Sequence, residues 1–221
     1  MLPDHLIIDF DSTFITKESL DELARFALEK HPEKGDQLRQ IEALTQAGMA
    51  GEITFDKSLS KRIAIVDADR TDVENVTHQL ADAVTPSFAN NADFIQNHKE
   101  IIWIISGGFR EMIIPVVSSF GISASHVFAN EFIYDDTQKI VGVDTNNPMA
   151  KAGGKVMQVN AMGLQGEIHV IGDGYTDYEL KAKGPASLFF AFTENVSREN
   201  IYTLADDVLN KFDDYILISR D

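Results

Sequence analysis

The chain has no cysteine among its 221 residues, which excludes disulfides, thiolate metal sites and thiol nucleophiles. That composition suits a reducing cytosol, and a cytoplasmic location is expected. Cations are scarce: 19 Lys plus Arg stand against 35 Asp plus Glu, a formal net charge of −16. A surface of that sign repels phosphate backbones and anionic lipid, so nucleic-acid and membrane partners are not expected. An anionic ligand would need a local positive site or a metal. Long apolar runs are missing as well; the run Ile101-Ile102-Trp103-Ile104-Ile105 is far too short to span a bilayer. The N-terminal stretch MLPDHLIIDFDST lacks a basic segment followed by a long apolar one, so no signal peptide is expected. The six histidines share no ligand spacing and read as structural or exposed.

What remains is enough length and apolar content for one domain, or one domain with an insertion. Leu6, Ile7 and Ile8 read as a buried strand, and alternation along it would send Asp9 and Asp11 to one side with Phe10 facing the other. The pattern then turns helical. Thr16 is a plausible N-cap, helices are predicted over about 36–47 and 54–66, and Thr71 with Glu74 has the spacing of a capping box. Pro86 suits the first turn of a helix over about 87–97. The run 101–105 predicts a second buried strand, broken by Ser106-Gly107-Gly108 and followed by a helix bent at Pro115. Two strand-like segments flank a turn at Asp136-Thr137-Gln138. A helix over about 154–162, the strand EIHVIGDG, a short helix after Thr176, the strand SLFFAF and a final helix and strand complete the reading.

Strands alternating with helices predict an α/β fold with a parallel sheet. The all-helical stretch 14–85 follows the first strand, so it reads as an insertion. Ligands of such sheets bind beyond the carboxyl ends of the strands. Four polar clusters fall there or in adjoining loops: Asp9 and Asp11; Ser106, Gly107 and Gly108; Lys155; and Asp173 with Asp177. Each alone reads as an ordinary turn or cap, except Lys155. It stands near a helix N-terminus, where the macrodipole disfavours a cation by roughly 0.3–1 kcal/mol. Together the clusters match phosphoryl transfer: a carboxylate nucleophile, carboxylates for Mg²⁺, donors and a cation for phosphate oxygens, and a second carboxyl for acid and base work.

The motifs DFDST, SGGF, the lysine after AGG, and GDGYTD, in that order, resemble those of the haloacid dehalogenase superfamily. The chain is most similar to its phosphoserine phosphatase family, through TKESLDELARFA, MAGEITFDKSLSKRIAI, SGGFREMI, VFAN, AGGK and GDGYTDYE. The resemblance implies a Rossmann-like core over 1–13 and 86–221 with a small helical-bundle cap over 14–85. It further implies an aspartyl-phosphate on Asp9 and acid/base catalysis by Asp11. Asp9, Asp11 and Asp173 would hold Mg²⁺, with Asp177 supporting the metal site, and Ser106, Gly107, Gly108 and Lys155 would hold the phosphate. Thr176 would line the substrate site, Glu18 face the substrate ammonium, and Arg62 take its carboxylate, beneath Met49 and Phe55. The expected reaction is Mg²⁺-dependent hydrolysis of O-phospho-L-serine in serine biosynthesis, and a homodimer is left open. The rival readings are a phosphatase of another small phosphomonoester, such as phosphoethanolamine, and a receiver-type phosphoacceptor domain. Tyr175 departs from the family pattern, which has a small residue there more often.

Overall fold

In a computed structural model, residues 2–49 and 52–220 are described. Six parallel strands form one sheet in the order β3-β2-β1-β6-β7-β8: β1 (His5–Ile8), β2 (Ile102–Phe109), β3 (Val127–Asn130), β6 (Ile168–Gly172), β7 (Leu188–Phe192) and β8 (Asp207–Leu209). β1 is central, with Ile8 opposite Ile104 of β2 on one side and Ile171 of β6 on the other. Its apolar residues are fully buried, as expected of a parallel strand covered on both faces. The antiparallel hairpin β4 (Phe132–Tyr134) and β5 (Ile140–Val143) stands apart from the sheet. Its turn is where the sequence placed it, with Gln138 in the left-handed region at φ 65°.

Between β1 and β2 lie α1 (Ser19–Ala27), α2 (Lys34–Met49), α3 (Phe55–Ile63), α4 (Arg70–Ala81), α5 (Pro86–Asn90) and α6 (Ala92–His98). The sheet's remaining connections carry α7 (Arg110–Ser118), α8 (Gly154–Met162), α9 (Tyr175–Ala182) and α10 (Glu199–Tyr202), and α11 (Phe212–Ile218) follows β8. One apolar cluster joins Leu20, Leu23, Ile41, Leu59, Val73 and Val76 from the helical stretch to Ile8, Ile104, Phe109 and Ile113. The helices therefore continue the core of the sheet. Among the described residues no helix is long and apolar enough to cross a membrane.

Several local expectations shift. α1 starts at Ser19, and the Thr16 hydroxyl donates to Ala83 O instead of capping it. The capping box of α4 is Asp69 with Asp72, two residues before Thr71. The helix predicted over 87–97 is two helices meeting at Asn91, whose amide donates to Ser87 O. β2 runs through Ser106-Gly107-Gly108 to Phe109, with a register shift after Ile105. The last element is a helix and not a strand: the Asp214 carboxylate accepts from Asn210 N and Lys211 N, so it caps the residues that would otherwise extend β8.

Two segments join the helical stretch to the sheet, and they run together. Thr16 N donates to Ala83 O at 2.8 Å, Thr85 N to Phe14 O at 3.0 Å, and Thr85 Oγ1 to Thr13 O at 2.7 Å. The Asn195 amide, beyond β7, lies within 3.3 Å of the Ser12, Thr13 and Ile15 carbonyls and 2.7 Å from Thr85 Oγ1.

Candidate active site

Asp9 and Asp11 do not meet by strand alternation. β1 ends at Ile8, and the chain makes a wide turn over Phe10–Phe14 in which Ser12 sits at φ 53°. Asp9 closes the start of this turn by accepting from Phe10 N at 2.8 Å. Asp11 reaches the next element: its Oδ1 accepts from Ser19 N at 2.9 Å and its Oδ2 from Ser19 Oγ at 3.1 Å. It thus satisfies a free N–H at the start of α1, where a negative charge also suits the dipole.

Lys155 is the second residue of α8, buried and between two carboxylates. Its Nζ lies 2.9 Å from Asp9 Oδ1 and 2.6 Å from Asp177 Oδ1. Burial works against its charge, but Asp177 and Asp9 outweigh that and raise its pKa above the ordinary lysine value. Arg198 meets Asp173 with Nε and Nη2, each 2.9 Å from Oδ2. Ligand atoms of Asp9, Asp173 and Asp177 all lie within 4.8 Å of one another. Against these three buried carboxylates stand two cations, Lys155 and Arg198, and burial weakens the screening between their charges. Burial, with the Asp9 charge behind it, pushes Asp177 up to about 8 despite the pull of Lys155. Asp173 is raised by the same causes against the pull of Arg198. Asp173 Oδ1 is buried without a partner. An orphan carboxylate oxygen among three converging acidic groups fits a hard divalent cation that takes oxygen donors.

The glycines after Ser106 are set by close approach. A Cβ on Gly107 would stand 2.8 Å from the Phe55 ring, and one on Gly108 would stand 3.1 Å from Asp11 Oδ2. Asn130 Nδ2 holds the Gly107 carbonyl at 2.8 Å, and Gly108 N donates to Ser106 Oγ at 3.0 Å. Gly172 is needed for the same kind of reason, since a Cβ there would overlap the Asp177 carboxyl.

One cleft gathers Asp9, Asp11, Glu18, Phe55, Arg62, Ser106, Gly107, Gly108, Lys155 and Thr176. Positions nominated from five separated stretches of sequence thus line one space. The Met49 side chain lies outside the described residues. Glu18 accepts from Ser12 Oγ at 2.6 Å; burial and the Asp11 and Asp173 charges hold its pKa well above the carboxylate range. Burial pushes Asp11 up to about 7, helped by Asp9 and opposed by the Ser19 hydrogen bonds. Tyr175 is absent from the residues lining the cleft; its ring packs 5.8 Å from that of Tyr178.

Sequence reasoning missed Arg198, Thr45 and Asp21. Arg198 stands six residues beyond β7, and the rule that polar residues past a strand end share a site pointed there. Thr45 and Asp21 carried no local signal, as polar residues inside amphipathic helices.

The haloacid dehalogenase-like hydrolase family model matches residues 6–180. The phosphoserine phosphatase of Homo sapiens is 30% identical over 203 residues, covering 90% of this chain and 85% of that protein. The chloroplastic phosphoserine phosphatase of Arabidopsis thaliana is 30% identical over 211 residues, covering 94% and 69%. A phosphoserine phosphohydrolase-like protein from Francisella tularensis, solved by crystallography, superposes with a TM-score of 0.87 at 31% identity, covering 97% of this chain and 98% of that one.

Proposed function

Because the chain belongs to the haloacid dehalogenase-like hydrolase family and, within it, to the phosphoserine phosphatases, we propose that it hydrolyses O-phospho-L-serine to serine and phosphate. Residues 1–13 and 86–221 form the catalytic core in this reading, and 14–85 the cap. The observation that carries it is the buried cluster of Asp9, Asp173 and Asp177 bridged by Lys155, at the carboxyl ends of β1 and β6.

Asp9 attacks phosphorus, and the serine oxygen leaves as an alcohol with a proton from Asp11, whose raised pKa keeps a proton available near neutrality. Asp11 then takes a proton from the water that cleaves the aspartyl-phosphate, restoring Asp9. Lys155, Ser106 and the amide of Gly107 hold the phosphate oxygens, which is electrostatic stabilisation by donors already in place. The Asp9 and Asp173 carboxylates and the Asp11 carbonyl would hold Mg²⁺, with Asp177 supporting the site through Lys155 and Gly174 N; the ion would offset the repulsion between Asp9 and a phosphate dianion. Glu18 takes the ammonium and Arg62 the carboxylate of the substrate, under Phe55. That pairing favours a zwitterionic amino-acid phosphate over phosphoethanolamine, which gives Arg62 nothing to bind. A receiver-type domain has no use for such a cleft. The cysteine-free composition supports a cytoplasmic location in this reading, and a homodimer stays open.

Phosphate release from a panel of small phosphomonoesters, with and without Mg²⁺, tests the reading. Phosphoserine should head the panel, and release should stop on chelation. Asp9→Asn should lower turnover by at least roughly 10⁴-fold; normal turnover in that variant would end the nucleophile assignment.

A further inference from the structure

Arg62 is held from one side only. It is 6% exposed and its Nη1 donates to Thr45 Oγ1 at 3.1 Å. Thr45 in turn donates to Asp21 Oδ1 at 2.9 Å, and Asp21 Oδ1 lies 3.7 Å from Arg62 Nη1. Thr45 and Asp21 are themselves 2% and 8% exposed. A buried guanidinium needs a counter-charge, and Asp21 supplies it from behind the threonine without a direct hydrogen bond. The other edge is unpartnered. Arg62 Nε is buried without a partner, and no hydrogen bond within the described residues engages Nη2. Nε–H and the adjacent Nη2–H point the same way in a planar guanidinium and form one of its two-donor edges. Both Arg62 and Thr45 line the cleft.

We propose that Thr45 and Asp21 are positioning residues that clamp Arg62 by Nη1 and present its Nε/Nη2 edge to the carboxylate of the substrate. The inference rests on the proposed reading of Arg62. Thr45 is the relay: its hydroxyl accepts from the arginine and donates to Asp21 Oδ1 at 2.9 Å, with the Ile41 carbonyl a second acceptor at 3.1 Å, which fixes the plane of the guanidinium. Asp21 keeps the charge of Arg62 tolerable in the buried cleft while leaving the recognition edge free. The partnerless Nε is then the donor that a bound carboxylate satisfies.

The test compares O-phospho-L-serine with phosphoethanolamine, which lacks the carboxylate, in the full-length chain. In Thr45→Val the ratio of the two kcat/KM values should fall roughly tenfold, carried by a higher KM for phosphoserine at nearly constant kcat. Thr45→Ser, which keeps the hydroxyl, should restore the ratio. In an Arg62→Ala background, Thr45→Val should leave the ratio where Arg62→Ala put it, because the clamp then has nothing to hold. Equal losses on both substrates, or additive effects in the double variant, would overturn the clamp. So would a wild-type preference that survives Thr45→Val. An unsubstituted chain that hydrolyses both substrates equally well would instead remove the carboxylate reading of Arg62.

Discussion

At the carboxyl ends of β1 and β6, charged side chains hold one another in place. Lys155 lies between Asp9 and Asp177, and Arg198 grips Asp173. In the cleft under α2 and α3 the charges are only half satisfied: Arg62 is tied by one nitrogen, and Glu18 by one hydroxyl. On the proposed reading, the difference follows from what each region does. A group that performs the same step on every phosphate gains from being locked before substrate arrives. A group that reads one substrate must keep donors open for it, and the buried polar atoms left unpaired in the absence of that ligand are what reject analogues lacking the matching group.

The comparison breaks most sharply at Lys155. Lys155→Ala leaves Asp9 and Asp177 facing each other without their cation, and kcat should fall by roughly 10²–10³-fold. Breaking a buried pair in this way should also destabilise the fold by about 3–5 kcal/mol, read from urea unfolding. A variant that kept full activity would show that the lock is not required. Next comes Arg62→Ala, on the reading side. The KM for phosphoserine should rise by about 10²-fold while a generic aryl phosphate is spared. Equal losses on both would move Arg62 out of recognition.

Burial of carboxylates on the locked side, with the Asp9 charge behind it, sets a pH dependence. Asp177 and Asp11 are raised to about 8 and about 7, so without metal the folded chain holds protons that the unfolded chain releases. That contribution to stability is complete below the ordinary carboxylate pKa and disappears as pH rises through about 8. A cation at this cluster needs the raised Asp173 and Asp177 carboxylates deprotonated, so its affinity rises with pH as they ionise. The gain in Tm on adding Mg²⁺ should therefore be larger at pH 8 than at pH 6; a larger gain at pH 6 would contradict the assignment of these carboxylates. The smallest effect concerns the seam between the two regions. Asn195→Ala removes the amide that spans Ser12, Thr13, Ile15 and Thr85. Loss of about 1–2 kcal/mol should lower Tm by a few degrees, measured calorimetrically.

Much of the locked side was legible because its signals are local. A buried apolar run followed by Asp or Gly-Asp-Gly marks a strand end within a few residues, whereas Ser106-Gly107-Gly108 marks polar groups inside β2, which runs on to Phe109. Lys155 was conspicuous because a cation at a helix N-terminus opposes the dipole unless something negative stands nearby, and Asp9 and Asp177 do. The reading side was less legible. Glu18 and Arg62 came from resemblance, and on periodicity alone they were helix charges. Thr45 and Asp21 gave no signal, since their roles arise from contacts with Arg62 at 17 and 41 positions' remove. The cap of α4 slipped by two residues because Asp69 with Asp72 closes the helix in place of Thr71 with Glu74.

The sequence by itself determined the α/β alternation, the helical stretch between the first two strands, and the identity of the polar groups gathered at the strand ends. Those properties depend on burial periodicity and strand-end chemistry, which neighbours in the chain specify. Only the tertiary structure decided that Asp9 and Asp11 converge through a turn instead of along a strand, that Arg198 holds Asp173, and that Arg62 is clamped on one edge and open on the other. Each of these is a distance between segments far apart in the chain. Packing of the helices onto the sheet sets those distances, and no local pattern records them.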